Sequence, residues 1–285
     1  MRGMALTGLA GLLVSGLLLA GFSTPDEKAL QGFCGAASKP ALEECAAAFN
    51  ANTGVGVHLQ FSGSGTMLSR LLMSGKGDLY IPGSPDYMTE AVNRGVVAEG
   101  SRHIIAYLVP AILVPEGNPK GIKSLKDLSK DGVRVGIGNP DAVCVGLYAI
   151  ELLEHNELLD QVSDNIVVHA KSCSGVCSLV AMNKVDATLG WRVFGEWKPD
   201  RVDTVLLDPD QVPRLAYVPA GVSRSTQDRG RSQRFLDFLR SRQGRKIFAR
   251  WGYIASESEA RKFAPRAEIG GRYTLPAEYR PQKVR

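Results

Sequence analysis

The sequence has few aromatic residues and no dense cluster of positive charge before its final segment. Phe, Trp and Tyr make up 7% of the 285 residues, and the net charge of +5 arises from both signs interspersed along the chain. So mild and scattered a charge does not predict a nucleic-acid-binding protein. Hydrophobic residues make up 44% of the chain, which is enough for one large core or two lobes.

The sequence also lacks the residue groupings on which common enzyme mechanisms depend. Its four histidines belong to no motif, and the residues around Ser64 do not have the spacing of a Gly-x-Ser-x-Gly nucleophile loop. Because no lysine follows Gly63-Ser64-Gly65-Thr66, this loop is not a P-loop. The adjacent carboxylates Glu43 and Glu44 diverge on a helix. We therefore predict a protein that is not an enzyme and needs no cofactor.

The first residues have the pattern of a targeting segment. Arg2 supplies positive charge, and a nearly uninterrupted apolar stretch covers residues 5–22. Residues 1–23 are predicted to be a cleavable signal peptide that directs the protein to the periplasm. The alternative is an uncleaved membrane anchor, since the stretch is near the lower length for a membrane span. Phe22 stands where a bacterial lipoprotein has cysteine, so lipid attachment there is not expected.

Strand-like and helix-like runs alternate after the signal, which predicts an α/β protein with largely parallel sheets. The predicted strands cover residues 55–61, 78–81, 105–114, 133–137, 165–169 and 187–193. The predicted helices cover residues 41–49, 66–73, 86–95, 125–128, 145–154, 175–183 and 232–251.

Two apolar runs, at residues 105–114 and 215–222, contain an internal proline that a central strand rarely tolerates. We interpret both as strands that cross from one sheet to another. The predicted first lobe comprises residues 24–107 and 217–256, and the second lobe comprises residues 108–216. Residues 257–285 are predicted to form a C-terminal tail that packs on the surface or is partly disordered.

Two short polar loops each follow a strand-like run and open a helix-like run. They are residues 33–38, which end in Ser38, and residues 61–66, which contain Ser64. Each offers a hydroxyl and several backbone N–H groups at a helix N-terminus, and such a site binds anions without a charged side chain. The alternative for both serines is ordinary capping of the helices that follow.

An ordered series of motifs resembles the molybdate/tungstate-binding periplasmic proteins of ABC importers. The series consists of residues 34–38, 41–49, 54–55, 61–66, 77–83 and 135–140, and it ends with Ile247-Phe248 and Gly252-Tyr253. The resemblance covers most of the chain from about Gly32 to Tyr253. It implies a type II periplasmic-binding-protein fold, in which two α/β lobes, each a mostly parallel sheet flanked by helices, are joined by two crossover strands and close on a small oxyanion.

The resemblance also implies which residues bind the anion. In this family, hydroxyls and backbone amides from four loops hold the ligand. The matching positions are Ser38, Ala37, Ser64 and Gly65 in the first lobe and Val145, Cys173 and Ser174 in the second lobe. A further tyrosine ligand of the family aligns near Val193, so that hydrogen bond is expected to be missing. Arg192 beside it either pairs with an anion or points to solvent.

The five cysteines leave the chemistry of the second lobe open. An odd number leaves at least one thiol unpaired within the chain. One interpretation is a disulfide between Cys173 and either Cys144 or Cys177. Another is a site for a thiophilic metal or metalloid formed by Cys34, Cys144, Cys173 and Cys177, and a third is a set of inert thiols. Cys45 lies in an amphipathic helix and is predicted to be a core residue.

These observations predict the solute-binding component of an ABC importer, with a molybdate-like or tungstate-like oxyanion in the interlobe cleft. The expected partner is an ABC permease in the inner membrane, and the expected state is a monomer that binds no nucleic acid. The alternatives are a periplasmic carrier or sensor of a thiophilic metal and a surface or colonisation protein that binds another small anion, such as sulfate, phosphate or an organic acid.

Overall fold

The computed structural model describes residues 29–277 and residue 279. The predicted signal peptide therefore lies outside the described residues. Within this part of the chain the strands are β1 (Leu30–Gly35), β2 (Val57–Ser62), β3 (Leu79–Ile81), β4 (His103–Leu108), β5 (Pro110–Pro115), β6 (Val135–Gly138), β7 (Ile166–Ala170), β8 (Ala187–Trp191), β9 (Val202–Val205), β10 (Arg214–Val222) and β11 (Glu268–Ile269).

The α-helices of the described residues lie between these strands and follow the last long one. They are α1 (Lys39–Thr53), α2 (Ser64–Ser74), α3 (Pro85–Asn93), α4 (Cys144–His155), α5 (Leu159–Ser163), α6 (Cys173–Ala181), α7 (Val193–Trp197), α8 (Arg229–Arg240), α9 (Arg242–Arg250) and α10 (Glu257–Ala260). Short 3-10 helices cover Ala36–Ser38, Glu99–Ser101, Leu125–Ser129 and Pro209–Gln211.

The strands form two mixed sheets, which confirms the predicted two-sheet α/β architecture. The first sheet has the order β11-β10-β3-β1-β2, with β4 paired to β10. The second sheet has the order β7-β6-β8-β5-β9. The parallel pairs include β1–β2, β1–β3, β6–β7 and β6–β8. Strand β10 runs antiparallel to β3 and β4, and β5 runs antiparallel to β8 and β9.

The chain changes sheets between β4 and β5. The apolar run at residues 105–114 is therefore two strands, with β4 ending at Leu108 and β5 beginning at Pro110. Proline is tolerated there because it opens a strand instead of interrupting one. All six residues of β5 are buried, as expected for a strand covered on both faces.

Several predicted elements are wrong in extent, among them the helix expected at 41–49, which covers Lys39–Thr53. The strand that begins at Ala187 ends at Trp191, and Val193 lies in helix α7. The predicted helix at 232–251 is two helices, because Ser241 adopts an extended backbone and its hydroxyl accepts a hydrogen bond from the amide of Gly244, 3.2 Å away. Ser241 thus caps a new helix in the middle of an amphipathic run.

The segment after residue 256 is folded against the rest of the protein as far as it is described. It contains α10 and β11, and β11 pairs with β10 through Arg214 and Leu215. Three alanines of the segment, at positions 260, 264 and 267, are buried in the hydrophobic cluster of the second sheet. No helix of the described residues is long and apolar enough to cross a membrane.

Candidate functional site

Four helical N-termini lie at the carboxyl ends of parallel strands and form the candidate site. The 3-10 helix Ala36–Ser38 follows β1, α2 follows β2, α4 follows β6, and α6 follows β7. The first N–H groups of a helix have no partner within the helix, and the helix dipole adds partial positive charge there. Each of these four ends can therefore donate hydrogen bonds to an anion between the sheets.

Ser38 supplies a hydroxyl with an unmet hydrogen-bonding capacity. Its side chain is fully buried, and its Oγ has no hydrogen-bond partner within residues 29–277. The helix that contains it packs against α6 of the second lobe. A buried hydroxyl without a partner costs about 1–3 kcal/mol, so an acceptor atom at this point would remove a real penalty.

Ser64 contacts the backbone of Gly83. Its buried hydroxyl accepts a hydrogen bond from the Gly83 amide at 3.0 Å. A Cβ on Gly83 would lie 2.6 Å from both the Ala37 Cβ and the Cys144 Sγ, and 3.7 Å from the Ser64 Oγ. Only glycine fits at position 83, and the resemblance assigned it no role.

Ala37 is held from behind by an aromatic hydroxyl. The Tyr253 hydroxyl donates to the Ala37 carbonyl at 2.7 Å, and both residues are buried. Tyr253 also packs edge-on against Phe248 of α9, with 5.1 Å between the ring centroids. The C-terminal helices thereby fix the backbone of the first loop.

The two lobes are in direct contact at the α2 N-terminus. The Gly65 amide donates to the Ala142 carbonyl at 2.9 Å. A Cβ on Gly63 would lie 2.5 Å from the Ala142 oxygen and 3.1 Å from the Lys171 oxygen. The structure is therefore a closed one, and in it the Gly65 amide, predicted to bind the ligand, bonds to the other lobe.

Two cysteines meet at the second-lobe face of the site. The Cys144 and Cys173 sulfurs are 3.4 Å apart, and both side chains are at most 1% exposed. Burial and the hydrogen bond to Cys173 raise the pKa of the Cys144 thiol well above its usual value, although a hydrogen bond from Ser64 counteracts the effect. The Cys144 thiol is therefore neutral in the closed protein.

The other cysteines do not join this pair. Cys177 donates to the Phe194 carbonyl at 3.6 Å, and burial raises its pKa to about 11. Cys34 lies on β1, and Cys45 is buried in α1 as predicted. In residues 29–277 and 279, no group of three or more His, Cys, Asp or Glu side chains is arranged to hold a metal ion.

The two remaining predicted ligand residues, Val145 and Ser174, differ in which of their polar groups already have a partner within the protein. Val145 is buried in the first turn of α4, where its amide has no acceptor within the helix. The Ser174 hydroxyl is 3.1 Å from that of Ser172, which caps α6 by accepting from the Gly175 amide. Ser174 therefore presents its backbone, more than its side chain, to the site.

Arg192 takes neither of its two predicted roles. Its guanidinium donates to the Gly252 carbonyl, faces Glu196 at 3.4 Å and lies over the Phe263 ring at 5.4 Å. It links the second lobe to the C-terminal segment. The position that aligns with the family tyrosine, Val193, is buried on α7 and offers no hydroxyl.

An ionic cluster centred on Arg214 joins both lobes near the site. Arg214 bonds Asp86 of α3 at 3.0 Å and Glu151 of α4 at 2.6 Å, and its guanidinium lies 4.0 Å from the centre of the Tyr148 ring. Burial alone lowers the pKa of Arg214, but these acidic and aromatic neighbours hold it above its ordinary value. Sequence reasoning missed this cluster, because its members are up to 128 residues apart.

A cleft of about 410 Å³ opens at the edge of the lobe interface. It is lined by Gly65 and Tyr87 from the first lobe, by Asp141 and Ala142 from the second, and by Arg272 and Tyr273 from the C-terminal segment. Because Gly65 and Ala142 also make the interlobe hydrogen bond, the cleft lies next to the closed site.

Two α/β lobes that close over a polar site between their sheets define a two-lobed periplasmic binding protein of type II. Residues 30–254 match the family described as bacterial extracellular solute-binding protein, and the chain belongs to that family. It is thus a solute-binding protein of the ABC transporter type and not an enzyme, as predicted. The C-terminal segment that contains α10 and β11 lies beyond the matched residues.

Known proteins with different ligands resemble this chain. A putative binding protein from Haemophilus influenzae is 30% identical over 79% of this chain and 90% of its own length. The molybdate-binding protein ModA from Escherichia coli is 25% identical over 82% of this chain and 92% of its own length. The solved sulfate-binding protein SubI from Mycobacterium tuberculosis has a TM-score of 0.71 at 18% identity, covering 85% of this chain and 94% of that one.

Proposed function

We propose that the protein captures a tetrahedral oxyanion dianion between its lobes, with molybdate or tungstate as cargo. The observation that carries the proposal is the buried Ser38 hydroxyl, which has no hydrogen-bond partner in the described part of the chain, at the meeting point of four helical N-termini. An anion oxygen is the acceptor that this arrangement lacks.

The proposed donors are neutral and come from both lobes. Ser38, Ser64 and the amide of Ala37 act from the first lobe. The amides of Val145, Cys173 and Ser174 act from the second. Many oriented N–H and O–H dipoles balance a dianion without a cationic side chain, and they leave it free to dissociate when the lobes open.

Molybdate is favoured over sulfate on two grounds. The ordered motifs of the first lobe resemble those of molybdate-binding proteins, and ModA is related over most of both chains. Sulfate is the second candidate, because a protein of closely similar fold is a sulfate-binding protein. Both are tetrahedral dianions, so the same donors serve either one and the cavity size selects between them.

Membership of the family supports a proposed route for the solute. The protein is exported through its N-terminal signal, binds the anion in the periplasm as a monomer and delivers it to an ABC permease in the inner membrane. Closed lobes present one combined face to such a permease, so lobe closure reports that the site is occupied.

A thermal-shift titration of the reduced mature protein tests the proposal. We expect molybdate and tungstate to raise the melting temperature at micromolar concentrations, and sulfate and phosphate to require much higher ones. Ser64→Ala should abolish most of the molybdate shift. Ser74→Ala, at the exposed C-terminal end of the same helix, should retain it. A shift with sulfate alone would identify sulfate as the cargo in place of molybdate. No shift with any oxyanion would overturn the proposal.

A further inference from the structure

We propose that Cys144 and Cys173 form a reversible disulfide that joins the two second-lobe helix N-termini of the site. Their sulfurs are 3.4 Å apart in the reduced protein. A disulfide requires about 2.0 Å, so the two sulfurs need to move closer by about 1.4 Å.

The pair is distinguished from the other cysteines by its contacts. All five cysteines lie within the described residues, and among them only the Cys144 and Cys173 sulfurs contact each other. Cys177, which is one helical turn after Cys173, bonds to the Phe194 carbonyl instead. The structure thereby selects one of the two pairings that the sequence allowed.

The disulfide would link the N-termini of helices α4 and α6. Cys144 is the first residue of α4, and Cys173 is the first residue of α6. Both helices belong to the second lobe, so the bond leaves lobe opening free. It fixes the spacing of the two N-termini that donate to the proposed anion, and it withdraws the Cys144 thiol from Ser64.

The oxidation is a two-step thiol–disulfide exchange with a disulfide oxidant, either a protein disulfide or oxidised glutathione. The thiolate of one cysteine attacks the oxidant and forms a mixed disulfide, which releases one oxidant thiolate. The second cysteine then attacks the mixed disulfide, closes the Cys144–Cys173 bond and releases the other thiolate. Two electrons pass to the oxidant, and the two protons of the cysteines are taken up by its two thiolates.

Lobe closure controls the access of the oxidant. In the closed protein both thiols are buried against the first lobe, where burial disfavours the thiolate of Cys144 that the exchange requires. The exchange therefore proceeds from the open protein. If the proposed function holds, the bound oxyanion keeps the lobes closed and slows the reaction; formation of the bond itself does not depend on that function.

The test treats the reduced mature protein with oxidised glutathione in the absence of any oxyanion. We expect a product lighter by two hydrogen atoms, three thiols that label with iodoacetamide after denaturation, and a peptide that links Cys144 to Cys173. Cys177→Ser should form the same bond, whereas Cys173→Ser should not. Five labelled thiols, or a bond between another pair, would overturn the proposal.

A second set of measurements tests how the bond affects stability and how molybdate affects the rate of its formation. The melting temperature of the oxidised protein should exceed that of the reduced protein by about 5 °C, and dithiothreitol should reverse the gain. Molybdate should slow the oxidation several-fold. If the bond forms but molybdate has no effect on its rate or on the melting temperature, the oxyanion function fails while the disulfide stands.

Discussion

The amide of Gly65 in the first lobe donates a hydrogen bond to the carbonyl of Ala142 in the second, at 2.9 Å. The sequence predicts that this amide binds the ligand, whereas in the closed protein it makes a contact between the lobes. Next to it, Gly63 approaches the same carbonyl so closely that a methyl group would lie 2.5 Å from its oxygen. The closed state therefore depends on glycine at positions 63 and 65, where the first lobe contacts Ala142.

Gly63→Ala is expected to hinder closure without unfolding either lobe. Overpacking a close contact costs about 1–3 kcal/mol, which corresponds to a loss of molybdate affinity of about 5- to 150-fold. The Gly63 backbone is extended, with φ of −61°, so alanine causes no backbone strain. Isothermal titration calorimetry measures the change.

Gly100→Ala provides the matched control, because a Cβ there meets no atom within 4 Å and φ is not positive. It should bind molybdate like the unaltered protein. Equal molybdate affinity in both variants would show that the contact between Gly63 and Ala142 does not limit lobe closure.

Arg214→Met is expected to lower the free energy of unfolding by about 3–5 kcal/mol, because it leaves the Asp86 and Glu151 carboxylates buried without their partner. Arg266→Met removes an ion pair to Asp210 whose side chains are 82% and 67% exposed. It should cost about 0–1 kcal/mol. Urea unfolding monitored by circular dichroism distinguishes the two, and similar costs would contradict a central role for the Arg214 cluster.

Truncation after Ala255 is expected to destabilise the protein, although the family match ends at residue 254. It removes the buried alanines of the C-terminal segment and the strand β11, together with the carbonyls of Gly270 and Gly271 that accept from Arg214. The melting temperature should fall by several degrees. A chain that ends at Ala277 keeps these contacts and should lose much less; equal melting temperatures for both truncations would contradict this role.

Asp127 is expected to make stability depend on pH in the acid range. Hydrogen bonds from the Lys130 side chain and the Lys123 amide lower its pKa to about 2. Because the folded pKa lies below the unfolded value of about 3.9, the contribution is present above the unfolded pKa and is lost as the pH falls through the folded pKa.

Asp127→Asn should therefore reduce the melting temperature at pH 6 and reduce it much less near pH 2. Since Asp127 also caps the 3-10 helix Leu125–Ser129, the loss at pH 6 should be about 1 kcal/mol. Thermal melts at the two pH values measure it. A difference between variant and parent that stays constant with pH would exclude this account.

The parts of the site that were predictable are those with a local signature. Ser38 and Ser64 stand at strand-to-helix junctions that the polar loops mark in the sequence, and the structure buries both there. Gly83 and Arg214 were missed because their roles depend on atoms from distant segments. No local pattern indicates that a Cβ at position 83 would meet Cys144.

The element boundaries that were wrong have a similar cause. The apolar run from Ala187 leads on to Val193 and Phe194, so its pattern does not show where the strand ends. The helix expected at 232–251 keeps one apolar face across Ser241, which hides the cap that divides it. In both places periodicity does not mark the boundary, and at Ser241 a local cap on the Gly244 amide sets it.

The most direct test of the central claim is anomalous diffraction at the molybdenum edge from crystals of the protein grown with molybdate. We expect one strong peak per chain, within hydrogen-bonding distance (through the oxygens) of the Ser38 and Ser64 hydroxyls and of the Val145 amide. A peak outside the interlobe site, or none at saturating molybdate, would contradict the claim that these helix N-termini and hydroxyls bind the oxyanion.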